Sequence, residues 1–371
     1  MKLLKVSAYN FKNCADNVTI DFIARSKKTS EDKLYELQKI DEDLYVYNTM
    51  AFVGKNASGK TTALELLDCC YSILGDFRLE NKEYSYDNVK LDIVFYHESY
   101  IYRYVTDLAE DASLGNKAVF RNQKLYKKRY YKSYVKEIYS ENDFAEVGNL
   151  GDLPEDTSSV FFILKKRTTR ALYFDCNGSG VDTFQLLFKA MKNYKISDKI
   201  LKNILSIFDD KILDLKMLDD ANYKLILKHG EKTVSDKELI HFLSSGTTKG
   251  ILLYIMAVAS LEMGFDLIVD EIENHFHKTL GENLIGLYKD MAVNKHKASL
   301  VFSTHYCELL DLFGRQDNIW ICKATPMIEF SNLYSEYGVR PELLKSKQFY
   351  CNIFDTAVNY NELMKFKRSL M

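Results

Sequence analysis

The sequence predicts an α/β fold with a mixed or parallel sheet at its core. An apolar run of strand length, Tyr45–Val53, stops at a glycine-containing loop, and apolar residues at helical spacing follow from Ala63 to Leu74. Strand and helix patterns then alternate towards the C-terminal end, in helix Thr247–Met263, strand Phe265–Val269, helix Lys278–Met291 and strand Ser299–Ser303. Strands that alternate with helices of this length are typical of parallel sheets.

Antiparallel and mixed patterns accompany this core. Two short N-terminal antiparallel strands, Leu3–Tyr9 and Val18–Ile23, are predicted, and the charged segment Lys27–Leu44 is predicted as a loop or helix. The middle of the chain predicts a hairpin, a helical region and two more strands, at Val89–Phe95 with Tyr100–Val105, Phe184–Phe208, Leu213–Leu218 and Tyr223–Leu227. We therefore expect a discontinuous core, residues 1–75 and 240–371, and a mixed α+β insertion, residues 76–239, that is suited to binding a partner.

Composition narrows the class of protein. The 371 residues are 47% hydrophobic and carry a formal net charge of −2, so nucleic-acid binding would need a local basic patch. The seven cysteines form no C-x-x-C pair, which argues against a zinc knuckle. The most apolar stretch, Ile251–Ala259, is too short to span a bilayer, and the N-terminal apolar run is too short for a signal peptide. We expect a soluble, cytoplasmic protein without a membrane partner.

A phosphate-binding loop follows the first core strand. Residues Gly54–Thr61 read G-K-N-A-S-G-K-T, which fits the P-loop pattern at every position. Its glycines let the backbone turn N–H groups towards a phosphate at the positive end of the next helix. Lys60 can place its charge between the β- and γ-phosphates of ATP, and the Thr61 hydroxyl can ligate Mg²⁺. The residues predicted to contact the nucleotide here are Gly54, Asn56, Ser58, Gly59, Lys60, Thr61 and Thr62.

Two acids follow the buried strand Phe265–Val269. Asp270, at the carboxyl end of the strand, is predicted to hold Mg²⁺ together with Thr61. Glu271, one residue further on, is predicted to polarise the attacking water as a catalytic residue. An apolar strand that ends in two acids is common, so the prediction depends on its place after a P-loop.

The segment Leu243–Thr247, L-S-S-G-T, begins a long apolar helix. Ser244 and Gly246 can offer a hydroxyl and a close backbone approach to an anion at the helix N-terminus, although a plain serine cap has the same pattern. The segment resembles the signature sequence of the ABC superfamily. The resemblance implies that Ser244 and Gly246 bind the γ-phosphate of a nucleotide held by another subunit, in a head-to-tail dimer with two ATP molecules between the subunits.

Four further segments are interpreted through the same resemblance. His305, which ends the strand motif Val301–His305, matches the ABC switch histidine that senses the γ-phosphate, so it is a predicted catalytic residue. Glu273–His277 lies where ABC proteins carry the D-loop, which favours subunit-interface contacts over a metal site. Gln123 is the candidate Q-loop glutamine by position alone. Asn10–Lys12 resembles a segment beside the nucleotide in SMC-like heads.

The stretch Lys124–Lys136 alternates cations with aromatic rings. Such a stretch suits stacking and phosphate contacts with a nucleic-acid strand. A solvated edge strand has the same composition, because lysine discourages edge pairing. The edge-strand interpretation is favoured, and nucleic acid stays an open partner.

The order of the motifs resembles one branch of the ABC ATPases. Asp270–His277, D-E-I-E-N-H-F-H, is close to the D-E-I-E-N-x-L-H form of that branch. The tail carries the same succession of short motifs, at His305–Asp311, Arg315–Trp320, Leu333–Ser335 and Arg340. Residues 1–75 and 240–371 are thus similar to the SMC-like, AAA-type ATPases of prokaryotic defence loci, which include abortive-infection, PARIS-type and OLD-like systems.

This resemblance implies an ABC-type P-loop ATPase head that hydrolyses ATP slowly with Mg²⁺. It implies a regulatory subunit that controls a separate toxic effector, a nuclease or toxin, through ATP-dependent dimerisation or higher oligomerisation. Too few residues follow His305 for the Toprim nuclease domain of the OLD family, so we expect the effector to be a separate protein. The alternative is a RecF-like DNA-repair ATPase that binds DNA ends or junctions, although Glu273–His277 departs from the D-loop of that family.

Overall fold

The computed structural model of the chain describes residues 1–76, 78–79, 84–111, 117–148, 153–162, 164, 171–174, 183–219, 221–275, 277–338, 340, 343–354 and 360–370. The strands are β1 (Lys2–Tyr9), β2 (Val18–Asp21), β3 (Leu37–Asp41), β4 (Leu44–Tyr47), β5 (Thr49–Val53), β6 (Lys90–His97), β7 (Tyr100–Asp111), β8 (Lys117–Arg129), β9 (Ala145–Glu146), β10 (Ala171–Phe174), β11 (Ile212–Met217), β12 (Asn222–Leu227), β13 (Gly230–Ser235), β14 (Asp266–Val269), β15 (Leu300–Thr304), β16 (Ile319–Ala324) and β17 (Ile328–Asn332). The α-helices are α1 (Ser30–Tyr35), α2 (Lys60–Gly75), α3 (Thr183–Tyr194), α4 (Asp198–Phe208), α5 (Asp236–Phe242), α6 (Ser245–Met263), α7 (Lys278–Lys289), α8 (Leu333–Tyr337), α9 (Lys345–Tyr350) and α10 (Tyr360–Ser369). Short 3₁₀ turns cover Lys132–Glu137, Ser159–Phe162, Ile272–His275 and Cys307–Leu312.

The central sheet carries the strand that leads into the P-loop. Its order among the described strands is β10-β14-β15-β5-β16-β17, parallel except for β17, which returns antiparallel to β16. Alternate side chains of β5 are buried in opposite layers, Met50 and Phe52 with those of α2 and β1, and Ala51 and Val53 with those of α6 and α7. This arrangement confirms the predicted α/β fold, with the strand that leads into the P-loop inside a largely parallel sheet.

A second sheet is antiparallel and has the order β2-β1-β6-β7-β8-β9. β1 pairs with both β2 and β6, so the N-terminal strands and the predicted hairpin share one sheet. β10 pairs with β14 in the central sheet, although it also falls within residues 76–239. Both sheets thus contain strands from residues 76–239 as well as strands from the expected core, and the division into a core and an insertion stays a prediction. Pairing between distant strands leaves no trace in the periodicity of a single segment, from which that division was drawn.

Local differences from the predicted elements have identifiable causes. The apolar run Tyr45–Val53 is two strands, because Asn48 turns the chain between β4 and β5 and its N–H donates to the Glu36 carbonyl oxygen at 2.9 Å. The helical region Phe184–Phe208 breaks into α3 and α4 after Lys195, whose φ of 55° is left-handed. The charged segment expected as a loop or helix contains both α1 and β3, and β3 pairs with β4.

Helix α6 contains the most apolar stretch of the sequence. Ile251, Leu253 and Ile255 are fully buried in the cluster that α6 forms with α3, α4 and the central sheet. Within the described ranges, no helix is long and apolar enough to cross a membrane. The apolar character of α6 is therefore explained by its position in the core.

A buried ion pair ties the C-terminal part of the chain to its beginning. The Arg315 guanidinium donates to both carboxylate oxygens of Asp317, at 2.8 and 2.6 Å, and to Asp32 at 2.9 Å. Asp317 also accepts the N–H groups of Arg25 and Ser26, at 2.9 and 2.8 Å. Burial acts to raise the pKa of Asp317, but the hydrogen bonds and charge of Arg315 outweigh it and hold the pKa below its ordinary value. The R-x-D motif thus fixes the N-terminal segment to the start of β16.

We expect Asp317→Ala to lower the free energy of unfolding by roughly 3–5 kcal/mol, because it leaves the charge of Arg315 buried without its main partner. Since the folded-state pKa of Asp317 is depressed, its contribution is present above the ordinary carboxyl pKa and is lost as pH falls through the depressed value. Urea denaturation at neutral and acidic pH measures both effects. Asp210→Ala, which removes an exposed partner of Lys228, is the control and should change stability little; equal losses would contradict the prediction.

Candidate functional site

The P-loop connects β5 to α2 and needs both of its glycines. A Cβ atom on Gly54 would lie 2.6 Å from the Cys322 carbonyl oxygen, and one on Gly59 would lie 2.3 Å from Ile328 Cγ2. Gly59 also has a φ of 95°, a conformation that disfavours other residues. It is the N-cap of α2 and makes no side-chain cap bond, and the first turn of α2 contains no acidic residue. The positive end of α2 therefore has no capping side chain of its own.

Lys60 and Ser58 are buried at this loop. Lys60 Nζ donates to the carbonyl oxygens of Gly54 and Lys55, at 3.2 Å each, and burial lowers its pKa. The Ser58 hydroxyl is buried and has no hydrogen-bond partner in the described part of the chain. A phosphate would satisfy this hydroxyl and give the ammonium an anionic partner, so the loop fits the phosphates of a nucleotide. The other predicted contacts here are Asn56 and Thr61, which are exposed, and Thr62, which is buried.

Asp270 links the P-loop to the next strand of the sheet. Thr61 Oγ1 donates to Asp270 Oδ2 at 2.7 Å, and Ser303 Oγ donates to Asp270 Oδ1. A hydroxyl and a carboxylate in contact offer the oxygen ligands that Mg²⁺ prefers. Among the described residues, no group of three or more His, Cys, Asp or Glu side chains could hold a metal ion. Mg²⁺ held by Thr61 and Asp270 would therefore take its other ligands from phosphate and water oxygens.

Glu271 and His305 meet beside the P-loop lysine. His305 Nε2 lies 3.2 Å from Glu271 Oε1, and His305 Nδ1 lies 3.5 Å from Lys60 Nζ. Because an ammonium group only donates, Nδ1 is the acceptor, and in the neutral ring the proton sits on Nε2 and is donated to Glu271. Glu271 has a φ of 47°, and its N–H donates to Ser303 Oγ at 2.7 Å. A left-handed non-glycine residue of this kind is typical of functional sites.

The central sheet explains why these groups converge. β14, β15 and β5 are neighbours, so the two acids, the histidine and the P-loop follow the carboxyl ends of adjacent parallel strands. Two further residues belong to the site although no motif identified their role. Ser303 bridges Asp270 and Glu271, as described above. Glu273 accepts the backbone N–H of His305 through its Oε1.

The predicted interface segment Glu273–His277 is only partly described. The side chains of Asn274 and His275, and residue Phe276 as a whole, lie outside the described part of the chain. His277 is the N-cap of α7, where its Nδ1 accepts the N–H of Thr279 at 3.3 Å. The preference for interface contacts over a metal site stays a prediction.

The signature segment lies at the start of α6. Leu243 is buried, and Ser244 is the N-cap of this 19-residue helix, with its Oγ accepting the Thr247 N–H at 3.0 Å. Ser244 is exposed, and Gly246 is partly buried. The hydrogen bonds described for Ser244 all remain within this helix start. The structure therefore contains the serine N-cap. Phosphate binding by Ser244 and Gly246 stays a prediction that requires a second subunit.

Comparison with solved structures gives likenesses of fold. The SMC head domain from Thermotoga maritima aligns with a TM-score of 0.41 and 11% sequence identity, over 90% of this chain and 99% of that chain. A structure of the SmcHead bound to the C-winged helix domain of ScpA aligns with a TM-score of 0.49 and 12% identity, over 91% of this chain and 99% of that chain. No protein-family profile and no curated protein matches the chain. The function of this chain is therefore inferred from the contacts of its own residues.

Two further predictions concern Gln123 and the segment Asn10–Lys12. Gln123 lies in β8, where its amide accepts from the Tyr104 hydroxyl and the Ser159 N–H, each at 2.7 Å. These hydrogen bonds hold the 3₁₀ turn that begins at Ser159 against the antiparallel sheet. The assignment of Gln123 to the Q-loop stays a prediction. Asn10–Lys12 lies near the P-loop helix, because Lys12 Nζ bonds to the carboxylate of Glu65 in α2. Its place beside a nucleotide stays a prediction.

Strand β8 carries part of the basic aromatic stretch. It pairs with β7 along most of its length and with β9 at two residues. Lys128 is buried and donates to a backbone carbonyl oxygen at 2.8 Å, and Lys132 is bonded to Glu42 and Asp43, at 3.2 Å each. These partners account for two cations of the stretch, and the choice between a solvated edge strand and a nucleic-acid surface stays a prediction.

Proposed function

We propose that this chain is an ABC-type ATPase that uses ATP binding and hydrolysis to switch its association with other proteins. The observation that carries the proposal is the hydrogen-bonded chain from Lys60 through His305 to Glu271, beside the contact between Thr61 and Asp270. These are the phosphate-binding, metal-binding and water-activating groups of one reaction. They follow the carboxyl ends of three adjacent strands and are assembled in a single chain.

Each group has a distinct part in hydrolysis. Lys60 and the N-terminus of α2 bind the β- and γ-phosphates and neutralise their charge. Thr61 and Asp270 would hold Mg²⁺, which would supply further charge neutralisation. Glu271 accepts a proton from the attacking water. His305, whose Nε2–H donates to Glu271, holds that carboxylate beside Lys60 and the expected γ-phosphate. Since α2 and β15 already fix Lys60 and His305, little reorganisation is needed in the reaction.

The second half of the site is proposed to come from another copy of the chain. Ser244 lies at an exposed helix N-terminus and Gly246 follows in its first turn, where a γ-phosphate presented by a partner subunit can be bound. We expect a head-to-tail dimer with two ATP molecules, and slow turnover suited to a switch. The motif resemblance supports the further proposal that this switch controls a separate toxic effector, a nuclease or toxin, in an anti-phage defence system.

The test of the proposed function is ATP binding and hydrolysis by the wild-type chain and Lys60→Ala. Loss of the buried ammonium should weaken ATP binding at least about 30-fold and abolish hydrolysis, because a charged partner of the phosphates is removed. Isothermal titration with ATP and phosphate-release assays measure the two effects. Lys192→Ala, an exposed lysine of α3, is the control. ATP binding of equal strength in Lys60→Ala would overturn the proposal.

A further inference from the structure

Glu273 is a carboxylate that the reaction described above does not use. It lies in the 3₁₀ turn Ile272–His275, directly after the two acids of the site. Its Oε1 accepts the backbone N–H of His305, whereas its Oε2 is buried with no hydrogen-bond partner in the described part of the chain. A buried carboxylate oxygen without a donor is unfavourable, so the position of this side chain needs an explanation.

The hydrogen bond that Glu273 accepts holds the backbone of His305 in place. The ring of His305 is held on both sides, by Lys60 at 3.5 Å and by Glu271 at 3.2 Å. Neither bond fixes the backbone at the point where β15 ends and the ring leaves the sheet. The Glu273 oxygen fixes that point, and a displacement of about 1 Å in a catalytic group is enough to lower a rate by two orders of magnitude.

We propose that Glu273 is a positioning residue that holds His305 beside Glu271 for ATP hydrolysis. The proposal rests on the proposed ATPase function. The hydrogen bond on which it depends joins residues 32 positions apart in the chain.

Two conservative variants separate the hydrogen bond from the charge. Glu273→Gln keeps the reach and an acceptor oxygen but is neutral, whereas Glu273→Asp keeps the charge but is one methylene too short to reach His305. We expect kcat for ATP hydrolysis to stay within about threefold in Glu273→Gln and to fall roughly 10- to 100-fold in Glu273→Asp, with little change in KM for ATP in both. The reverse order would show that the charge matters and would overturn the positioning role.

A double-mutant cycle with His305→Ala measures a coupling energy between the two residues, which a purely structural role of Glu273 would not change. If Glu273 acts through His305, Glu273→Asp should cause no further loss of kcat in the His305→Ala background. Additive losses, or a matching fall in melting temperature that accounts for the loss of activity, would overturn the proposal. Glu282→Gln, on the surface of α7 and paired with Lys278, is the control carboxylate.

The same assays separate this proposal from the function on which it rests. Wild-type hydrolysis that is lost in Lys60→Ala establishes the ATPase, and the Glu273 variants then report on positioning alone. Absence of hydrolysis in the wild-type chain would contradict the ATPase itself. Equal kcat in the wild type, Glu273→Gln and Glu273→Asp would contradict only the positioning role.

Discussion

Glu271→Gln is expected to lower kcat for ATP hydrolysis by roughly 10²- to 10⁴-fold while ATP still binds. The amide has the size of the carboxylate and can still accept the bond from His305 Nε2, which spans 3.2 Å. It cannot take a proton from water, so the chemical step is blocked. The phosphates still meet Lys60 and Ser58, so affinity is retained. Phosphate release under single-turnover conditions measures the chemical step.

The same variant should accumulate an ATP-bound dimer, because hydrolysis is the step that reopens it. Size-exclusion chromatography with light scattering, run with ATP and with ADP, distinguishes a nucleotide-dependent dimer from a constitutive one. Glu262→Gln, an exposed glutamate of α6, is the matched control and should hydrolyse ATP as the wild type does. Hydrolysis at the wild-type rate in Glu271→Gln would remove Glu271 from the role of base.

The predictable part of the site is the part that is local in sequence. The P-loop was predictable because backbone geometry and a bound phosphate dictate its residue types within eight positions. The roles of Ser303 and Glu273 were not predictable, because their partners lie 33 and 32 positions away and a serine or glutamate has many uses. Asp270 and His305 were identified by their place at strand ends, which is itself a local pattern.

The same limit applies to the fold. Alternation of strands and helices predicted the central sheet, since each pattern is complete within one segment. The joining of β1 to β6 and of β10 to β14 depends on pairing between strands far apart in the chain, which no single segment encodes. The split of Tyr45–Val53 depends on side-chain and backbone bonds of Asn48 that the apolar pattern conceals.

Gly246→Asp is expected to abolish the ATP-dependent dimer and hydrolysis while ATP binding to the single chain changes by less than about threefold. A carboxylate in the first turn of α6 would repel the γ-phosphate presented by a second subunit, and like charges at an interface cost several kcal/mol. The P-loop of the same chain connects β5 to α2, whereas Gly246 lies in the first turn of α6. The variant is best made in the Glu271→Gln background, where the dimer otherwise persists and light scattering detects its loss.

Ser244→Ala and Ser235→Ala separate phosphate binding from helix capping. Both serines are N-caps: Ser244 accepts the Thr247 N–H at 3.0 Å, and Ser235 accepts the Glu238 N–H at 3.3 Å. Each alanine should cost about 1 kcal/mol of stability through the lost cap. Only Ser244→Ala should also weaken the ATP-bound dimer, roughly 10-fold, because only Ser244 would lose a charge-assisted bond to phosphate. Equal behaviour of the two variants would make Ser244 a cap alone, and the nucleotide site would then have to be complete within one chain.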